Sequence, residues 1–290
     1  VCMCSLALSS CDSFLEEKPL DQKDSNQFWQ TQADAETGVN ALYFGGVPYL
    51  HNTGGGWTPK ATQWGGIISG LYVDKRKDRQ FTNASEGCNF NIASFDDQAM
   101  SYWHEFYKGI SRANFVIANV PNMTDVLSEE TIKNYVAQGK FFRAFAYFWL
   151  VKEFGDVPYV SEPYTSTDGI FKERIPASEM IEQDLLDIVN NNALPNKAFY
   201  DNGCYATLPM AQTLLAQVYL QRAGAPLNGG NADYEKAAQM ALKVVEGGQH
   251  ALVQADGSSD DLNSAFNIIK TTNTSNEIIY AKEYNYSNHK

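Results

Sequence analysis

Apolar residues recur at helical spacing through most of the chain. From Asp34, the run Ala35-Glu36-Thr37-Gly38-Val39-Asn40-Ala41-Leu42-Tyr43 predicts a short helix, with Asp34 placed to cap it. Residues 97–119 align Met100, Trp103, Phe106, Tyr107, Ile110, Ala113 and Ile117 along one stripe. Ser128, with Glu130 and Thr131 behind it, opens a longer helix that turns Ile132, Tyr135, Val136, Gly139, Phe142, Ala146 and Leu150 inward. The opposite side of that helix carries Phe141, Phe145 and Phe148, so it is expected to lie sandwiched between neighbours. Gly155 is placed to end it in a left-handed conformation, and Pro158 blocks any continuation. The stripe recurs over 177–191 (Met180, Ile181, Leu185, Ile188) and over 208–223 (Leu208, Ala211, Leu215, Val218, Tyr219). Asp233 is expected to cap a last helix that runs to Val245 and stops at Gly247-Gly248.

These helices come in neighbouring pairs with modest connections. A pair cannot bury both of its faces alone, so stacking is the natural solution. The expected fold is mainly α: tetratricopeptide-like stacked helix pairs with a long irregular insertion, although no strict 34-residue repeat survives. The insertion, residues 46–93, is rich in Gly, Asn, Thr and aromatics. Structureless stretches of that length within a domain are functional or disordered, and Trp57, Trp64, Tyr72 and Phe81 argue against disorder. Residues 249–290 also break the pattern, with a polar stretch from Asp256 to Asn263 and a strand-like Glu277-Ile278-Ile279-Tyr280-Ala281.

Composition narrows the function classes. The 290 residues suffice for one large domain or two ordinary ones, and 44% hydrophobic with 13% aromatic content supports a substantial core. With 22 Lys+Arg against 34 Asp+Glu the formal charge is −12, and no basic cluster is longer than Lys75-Arg76-Lys77. Nucleic acid is therefore a poor partner. The four histidines (His51, His104, His250, His289) show no ligand spacing, and no metal or other cofactor is expected. Asp256, Asp260 and Asp261 could offer oxygen ligands to Ca²⁺, but their spacing fails the EF-hand pattern and a solvated turn suits them better.

Of five cysteines, Cys2, Cys4 and Cys11 crowd the start, while Cys88 and Cys204 read as isolated small apolar side chains. The first eleven residues are uncharged, apolar and small, then turn polar at Asp12, as the tail of a secretory signal does. Leu8-Ser9-Ser10-Cys11 resembles a bacterial lipobox, in which the cysteine is lipidated. The expected division is a signal remnant at 1–11, a tether at 12–24 and a helical domain at 25–290. Nothing else approaches the roughly 18 apolar residues of a spanning helix, so the membrane is expected to be reached through the lipid anchor alone.

Several segments together resemble the SusD/RagB family of nutrient-binding outer-membrane lipoproteins. They are Cys11-Asp12-Ser13-Phe14-Leu15-Glu16-Glu17-Lys18-Pro19; Phe28-Trp29 with Asp34-Ala35-Glu36 and Asn40-Ala41-Leu42-Tyr43; Trp103 through Ile110-Ser111-Arg112-Ala113-Asn114; Gly139-Lys140-Phe141-Phe142-Arg143-Ala144-Phe145-Ala146-Tyr147-Phe148-Trp149-Leu150-Val151 with Phe154-Gly155-Asp156-Val157-Pro158; and Asn276-Glu277-Ile278-Ile279-Tyr280. The resemblance implies a surface lipoprotein that captures oligosaccharide or polysaccharide and closes over a SusC-like TonB-dependent transporter, without cutting the glycan. Family members are generally longer, so it also implies that part of the ligand face lies beyond Lys290.

Sugar rings offer C–H patches beside hydroxyl rims, which suit flat aromatic faces flanked by Asn, Asp and Arg. Trp57 follows Gly54-Gly55-Gly56 and Trp64 precedes Gly65-Gly66, settings that leave indole faces accessible; Asn52, Tyr72, Asp74 and Arg76 stand close by in sequence. These six are the candidate glycan-binding residues, and family members place part of their platform in the corresponding insertion. The alternative is that both indoles plug the loop onto the helices. Phe141, Phe142, Phe145, Phe148 and Trp149 recur at helical spacing and are assigned to the core, and Arg143 among them to a buried, hydrogen-bonded contact. Adjacent carboxylates such as Glu16-Glu17, Asp96-Asp97 and Glu129-Glu130 point apart and make no acid–base pair, which argues against a glycosidase. Two further alternatives are peptide capture by the same lid-on-channel arrangement, and a tetratricopeptide scaffold that binds only proteins.

Overall fold

All six helices expected from the apolar spacing form. The computed structural model describes residues 28–44, 97–164, 166–176, 178–254, 269 and 275–281. Within them lie α1 (Gln32–Phe44), α2 (Asp97–Asn119), α3 (Glu129–Phe154), α4 (Ser178–Asn190), α5 (Leu208–Ala223) and α6 (Asn231–Glu246). Between α3 and α4, β1 (Val157–Pro158) pairs antiparallel with β2 (Arg174–Ile175), in register Val157 to Ile175 and Pro158 to Arg174. Each helix packs on the next in sequence, and α3 also touches α1 and α5, giving the stacked arrangement expected from helix pairs.

The caps are partly those expected. The Ser128 side chain accepts the Thr131 N–H at the start of α3, and Thr207 accepts the Met210 N–H at the start of α5. Asp34 does not cap α1. Thr31 does, its Oγ1 accepting the Asp34 N–H at 3.2 Å while the Asp34 carboxylate accepts the Thr31 N–H at 2.9 Å, a reciprocal capping box. Asp233 likewise sits inside the first turn of α6 behind Gly230, and its carboxylate is committed to Arg222. Gly155 ends α3 as expected, with positive φ (69°), but its ψ of −134° lies outside the left-handed helical region. Glu277–Ala281 is not a strand; Ile279, Tyr280 and Ala281 pack irregularly on the core, Tyr280 against Phe145 and Phe199.

Helix α3 is the centre of the core. Phe141, Phe142, Ala144, Ala146, Tyr147, Phe148 and Leu150 are all buried, which requires neighbours on every side. The α2 stripe is rotated from the expected one: Tyr102, Phe106, Ile110, Ala113 and Val116 are buried, whereas Met100 is exposed. Gly139 marks the close approach of the two helices, since a Cβ there would stand 2.9 Å from Cγ1 of Ile117 and 3.4 Å from the Ala113 carbonyl oxygen. Gly139→Leu is expected to force α2 and α3 apart and to cost about 1–3 kcal/mol, read from the midpoint of urea unfolding.

The segment after α3 has little ladder of its own, so side chains satisfy its backbone. The Tyr107 hydroxyl donates to the Pro158 carbonyl, Asn114 Nδ2 to the Val160 carbonyl, and the Val160 N–H donates to the Tyr147 hydroxyl. Arg143 completes this web. Its Nε and Nη2 bind the two carboxylate oxygens of Asp184 at 2.8 and 2.7 Å, and Nη1 reaches Asn114 Oδ1 and the Ser161 carbonyl, each at 2.9 Å. Burial opposes its charge, but hydrogen bonds and charge from Asp184 raise the Arg143 pKa above the ordinary value. The expected buried structural arginine is present.

Candidate functional site

The six candidate residues Asn52, Trp57, Trp64, Tyr72, Asp74 and Arg76, and the lipobox Cys11, lie outside the described residues, as does the rest of the 46–93 insertion. So do Asp256, Asp260 and Asp261. The described helices that flank the insertion in sequence are α1, ending at Phe44, and α2, beginning at Asp97.

Among the described residues a cleft of about 310 Å³ opens between α1, the first half of α3 and the connection from α4 to α5. Glu36, Val39 and Asn40 line it from α1, Asn134, Tyr135 and Gln138 from α3, and Pro195, Asn202 and Tyr205 from the connection. Helical spacing explains the first two sets: residues four apart share a face, so Glu36 and Asn40 stand one above the other, as do Asn134 and Gln138. A broader trough of about 800 Å³ adjoins it, sharing Asn134, Tyr135 and Pro195 and reaching Glu129, Lys133 and Lys197.

A hydrogen-bonded chain fixes the cleft walls. The Ala206 N–H donates to the Tyr43 hydroxyl at 2.8 Å, that hydroxyl donates to Gln138 Oε1 at 2.6 Å, and Gln138 Nε2 donates to Asn134 Oδ1 at 2.6 Å. Burial pushes the Tyr43 phenol far above its usual range, so it stays protonated and able to donate. On the opposite wall the Tyr205 hydroxyl donates to Asn40 Oδ1 at 3.1 Å, and Asn202 Nδ2 holds the Tyr205 and Ala206 carbonyls. Tyr205 packs edge-on against Tyr43 with ring centroids 5.2 Å apart, yet 40% of it is exposed. Glu36, Tyr135 and Tyr205 all line the cleft, and burial first, then the nearby Glu36 and Tyr205, raise the Tyr135 pKa. Sequence analysis did not single out these residues as a site; they come from three distant segments, and the four-residue spacings Glu36–Asn40 and Asn134–Gln138 are the signal that could have shown two shared faces.

A second polar cluster joins α4, α5 and α6. Arg222 binds Asp233 through Nε (2.7 Å) and Nη2 (2.5 Å), and Glu182 through Nη1 (2.5 Å); Glu182 also accepts the Tyr219 hydroxyl at 2.8 Å. Hydrogen bonds from Arg222 hold the Asp233 carboxyl below its ordinary pKa. Burial alone would raise Glu182, but hydrogen bonds from Arg222 and Tyr219, with the charge of Lys236, bring it below the ordinary value too. Carboxylates clamped in the ionised state suit a structural junction rather than proton transfer. Among the described residues no three His, Cys, Asp or Glu gather as a metal set, and no helix is long and apolar enough to cross a membrane.

Comparison with known proteins decides the family. Residues 13–220 match the SusD-like family model, described as starch-binding and associating with the outer membrane. The chain belongs to the SusD-like family. SusD-like protein P38 of Formosa agariphila is 30% identical over 182 residues, covering 62% of this chain and 33% of that protein. A laminarin-binding SusD-like protein superposes with a TM-score of 0.60 at 25% identity, covering 74% of this chain and 43% of that one. A structure solved with xylogluco-oligosaccharide gives 0.59 at 25% identity, with 75% and 41% covered. The chain thus spans less than half the length of each of these relatives. This SusD-like chain is mainly helical, as its relatives are, and the resemblance first seen in the Gly139–Val151 and Phe154–Pro158 motifs is that of true membership.

Proposed function

We propose that the protein captures neutral glycan at the outer surface of the outer membrane, held there by a lipid on Cys11, and passes it uncut to a SusC-like TonB-dependent transporter. The observation that carries this reading is membership of a family described as starch-binding, with 25%-identical relatives that bind laminarin or were solved with xylogluco-oligosaccharide. The domain division at 1–11, 12–24 and 25–290 belongs to the same proposal: secretion signal, tether, binding domain. In the insertion, Trp57 and Trp64 would supply flat faces for sugar rings, and Asn52, Tyr72, Asp74 and Arg76 the hydroxyl partners. Asp184, Glu182 and Asp233 are each bonded to arginine, which ill suits these three to proton transfer.

Affinity electrophoresis of the full chain through gels containing laminarin, xyloglucan or starch tests the reading. At least one polysaccharide is expected to retard the protein, with no reducing ends released. Combined Trp57→Ala and Trp64→Ala is expected to weaken that retention about tenfold or more, since stacking on each ring contributes about 1 kcal/mol. Free migration in every gel overturns glycan capture. Retention unaffected by the double substitution moves the site off the two indoles.

A further inference from the structure

The geometry points to a second carbohydrate site, one built into the helical platform itself: the cleft between α1, α3 and the α4–α5 connection receives a single neutral pyranose unit of a glycan chain. It rests on the glycan-capture reading and adds to it a place on the helices.

Three features carry it. A sugar hydroxyl donates and accepts at once, so its site must offer both kinds of partner in fixed positions. Here Asn134 Oδ1 is occupied by Gln138 and Asn40 Oδ1 by Tyr205. Those bonds leave each asparagine's amide nitrogen to donate, while the Tyr205 oxygen and Glu36 Oε2 remain able to accept, Glu36 Oε1 being taken by the Gln32 amide at 2.8 Å. Second, the walls are held before any ligand arrives, because the bonds run back through Gln138 to the buried Tyr43 and the Ala206 backbone. Pre-set polar groups lose little entropy on binding. Third, the space is bounded by two phenol rings, Tyr135 and Tyr205, and its roughly 310 Å³ falls at the small end of ligand sites, room for one ring rather than a long chain.

Charge selects further. Among the described residues Glu36 is the one acidic side chain lining the cleft, so a uronic or sulfated sugar meets repulsion there and a neutral one does not. The adjoining trough along the start of α3 gives the flanking sugar residues somewhere to lie. Asn40 stands one helical turn before Phe44, the last residue of α1, and so close in sequence to the start of the insertion.

The test is a side-chain amide NMR titration of the full, isotope-labelled chain with laminarihexaose, maltohexaose and cellohexaose at millimolar concentration. At least one is expected to shift the side-chain amide signals of Asn40 and Asn134 in a saturable way, while a galacturonic acid oligomer does not. Asn134→Ala and, separately, Asn40→Ala are each expected to weaken that site about five- to tenfold, the loss of one hydrogen bond. Two variants are needed because Asn134 also holds Gln138 and Asn40 also holds Tyr205; unchanged thermal unfolding of at least one of them keeps the reading clear of a folding defect. Unmoved amide signals with all three hexaoses overturn the second site. If gel retention persists in that case, glycan capture stands without it; if retention is absent as well, both fail.

Discussion

Arg143→Ala is expected to be the most damaging single substitution among the polar residues, costing about 3–5 kcal/mol in equilibrium unfolding. The guanidinium reaches α4 through Asp184, α2 through Asn114 and the strand-side segment through the Ser161 carbonyl. Removing it strands the Asp184 carboxylate in the core and leaves Asn114 Oδ1 without its donor. Arg143→Lys should restore little, because one ammonium cannot span two carboxylate oxygens, an amide and a carbonyl in the same plane. The informative variant pairs Arg143→Met with Asp184→Leu. With both charges gone no buried ion is orphaned, and most of the lost stability should return. A double variant as unstable as Arg143→Ala would show that the charge pair itself, rather than the orphaned carboxylate, sets the cost.

The second large effect is at Arg222, and it depends on pH. Glu182 and Asp233 both have pKa values lowered in the folded state relative to the free carboxyl. Groups of that kind contribute stability that is present above the unfolded pKa, near 4, and lost as pH falls through the folded values. Arg222→Ala is therefore expected to cost about 2–3 kcal/mol at neutral pH, where two partly buried carboxylates lose their partner. The gap between wild type and variant should narrow steadily below about pH 4, as protonation removes what the arginine stabilised. Urea unfolding at a series of pH values measures both. A gap that is constant down to pH 2.5 would show that Arg222 acts through its packing over Tyr219 and not through charge.

The helices were legible because their apolar residues return every three or four positions, and a core that must be covered leaves that mark on the sequence. Phe142, Leu150, Leu185 and Leu215 were placed inward by spacing alone, and each is buried. What spacing could not show is which partner a polar side chain takes from a distant segment. Asp233 looked like a cap, yet its carboxylate is claimed by Arg222 from the preceding helix. Asp34 looked like one too, but Thr31, three residues earlier, holds that position. The run Glu277–Ala281 has the β-branched character of a strand, and aromatic packing of Tyr280 onto Phe145 and Phe199 overrode it. The two-residue ladder at Val157–Pro158 is too short to leave a period. The cleft was illegible for a related reason: Asn40, Asn134 and Tyr205 are each ordinary polar surface positions, and only the stacking of α1 on α3 brings them together. The indole-bearing insertion was read from composition and local glycines, and remains the proposed primary platform.

The position of α3 also sets the order in which the chain can mature. A helix greasy on every side has no soluble intermediate of its own. Its covering surfaces extend past α5, which ends at Ala223, to Tyr280, whose ring packs on Phe145 with centroids 5.8 Å apart. Until those partners arrive, Phe141 through Leu150 stay uncovered in a growing chain, which makes this stretch the place where an unfinished fold is most open to misassociation.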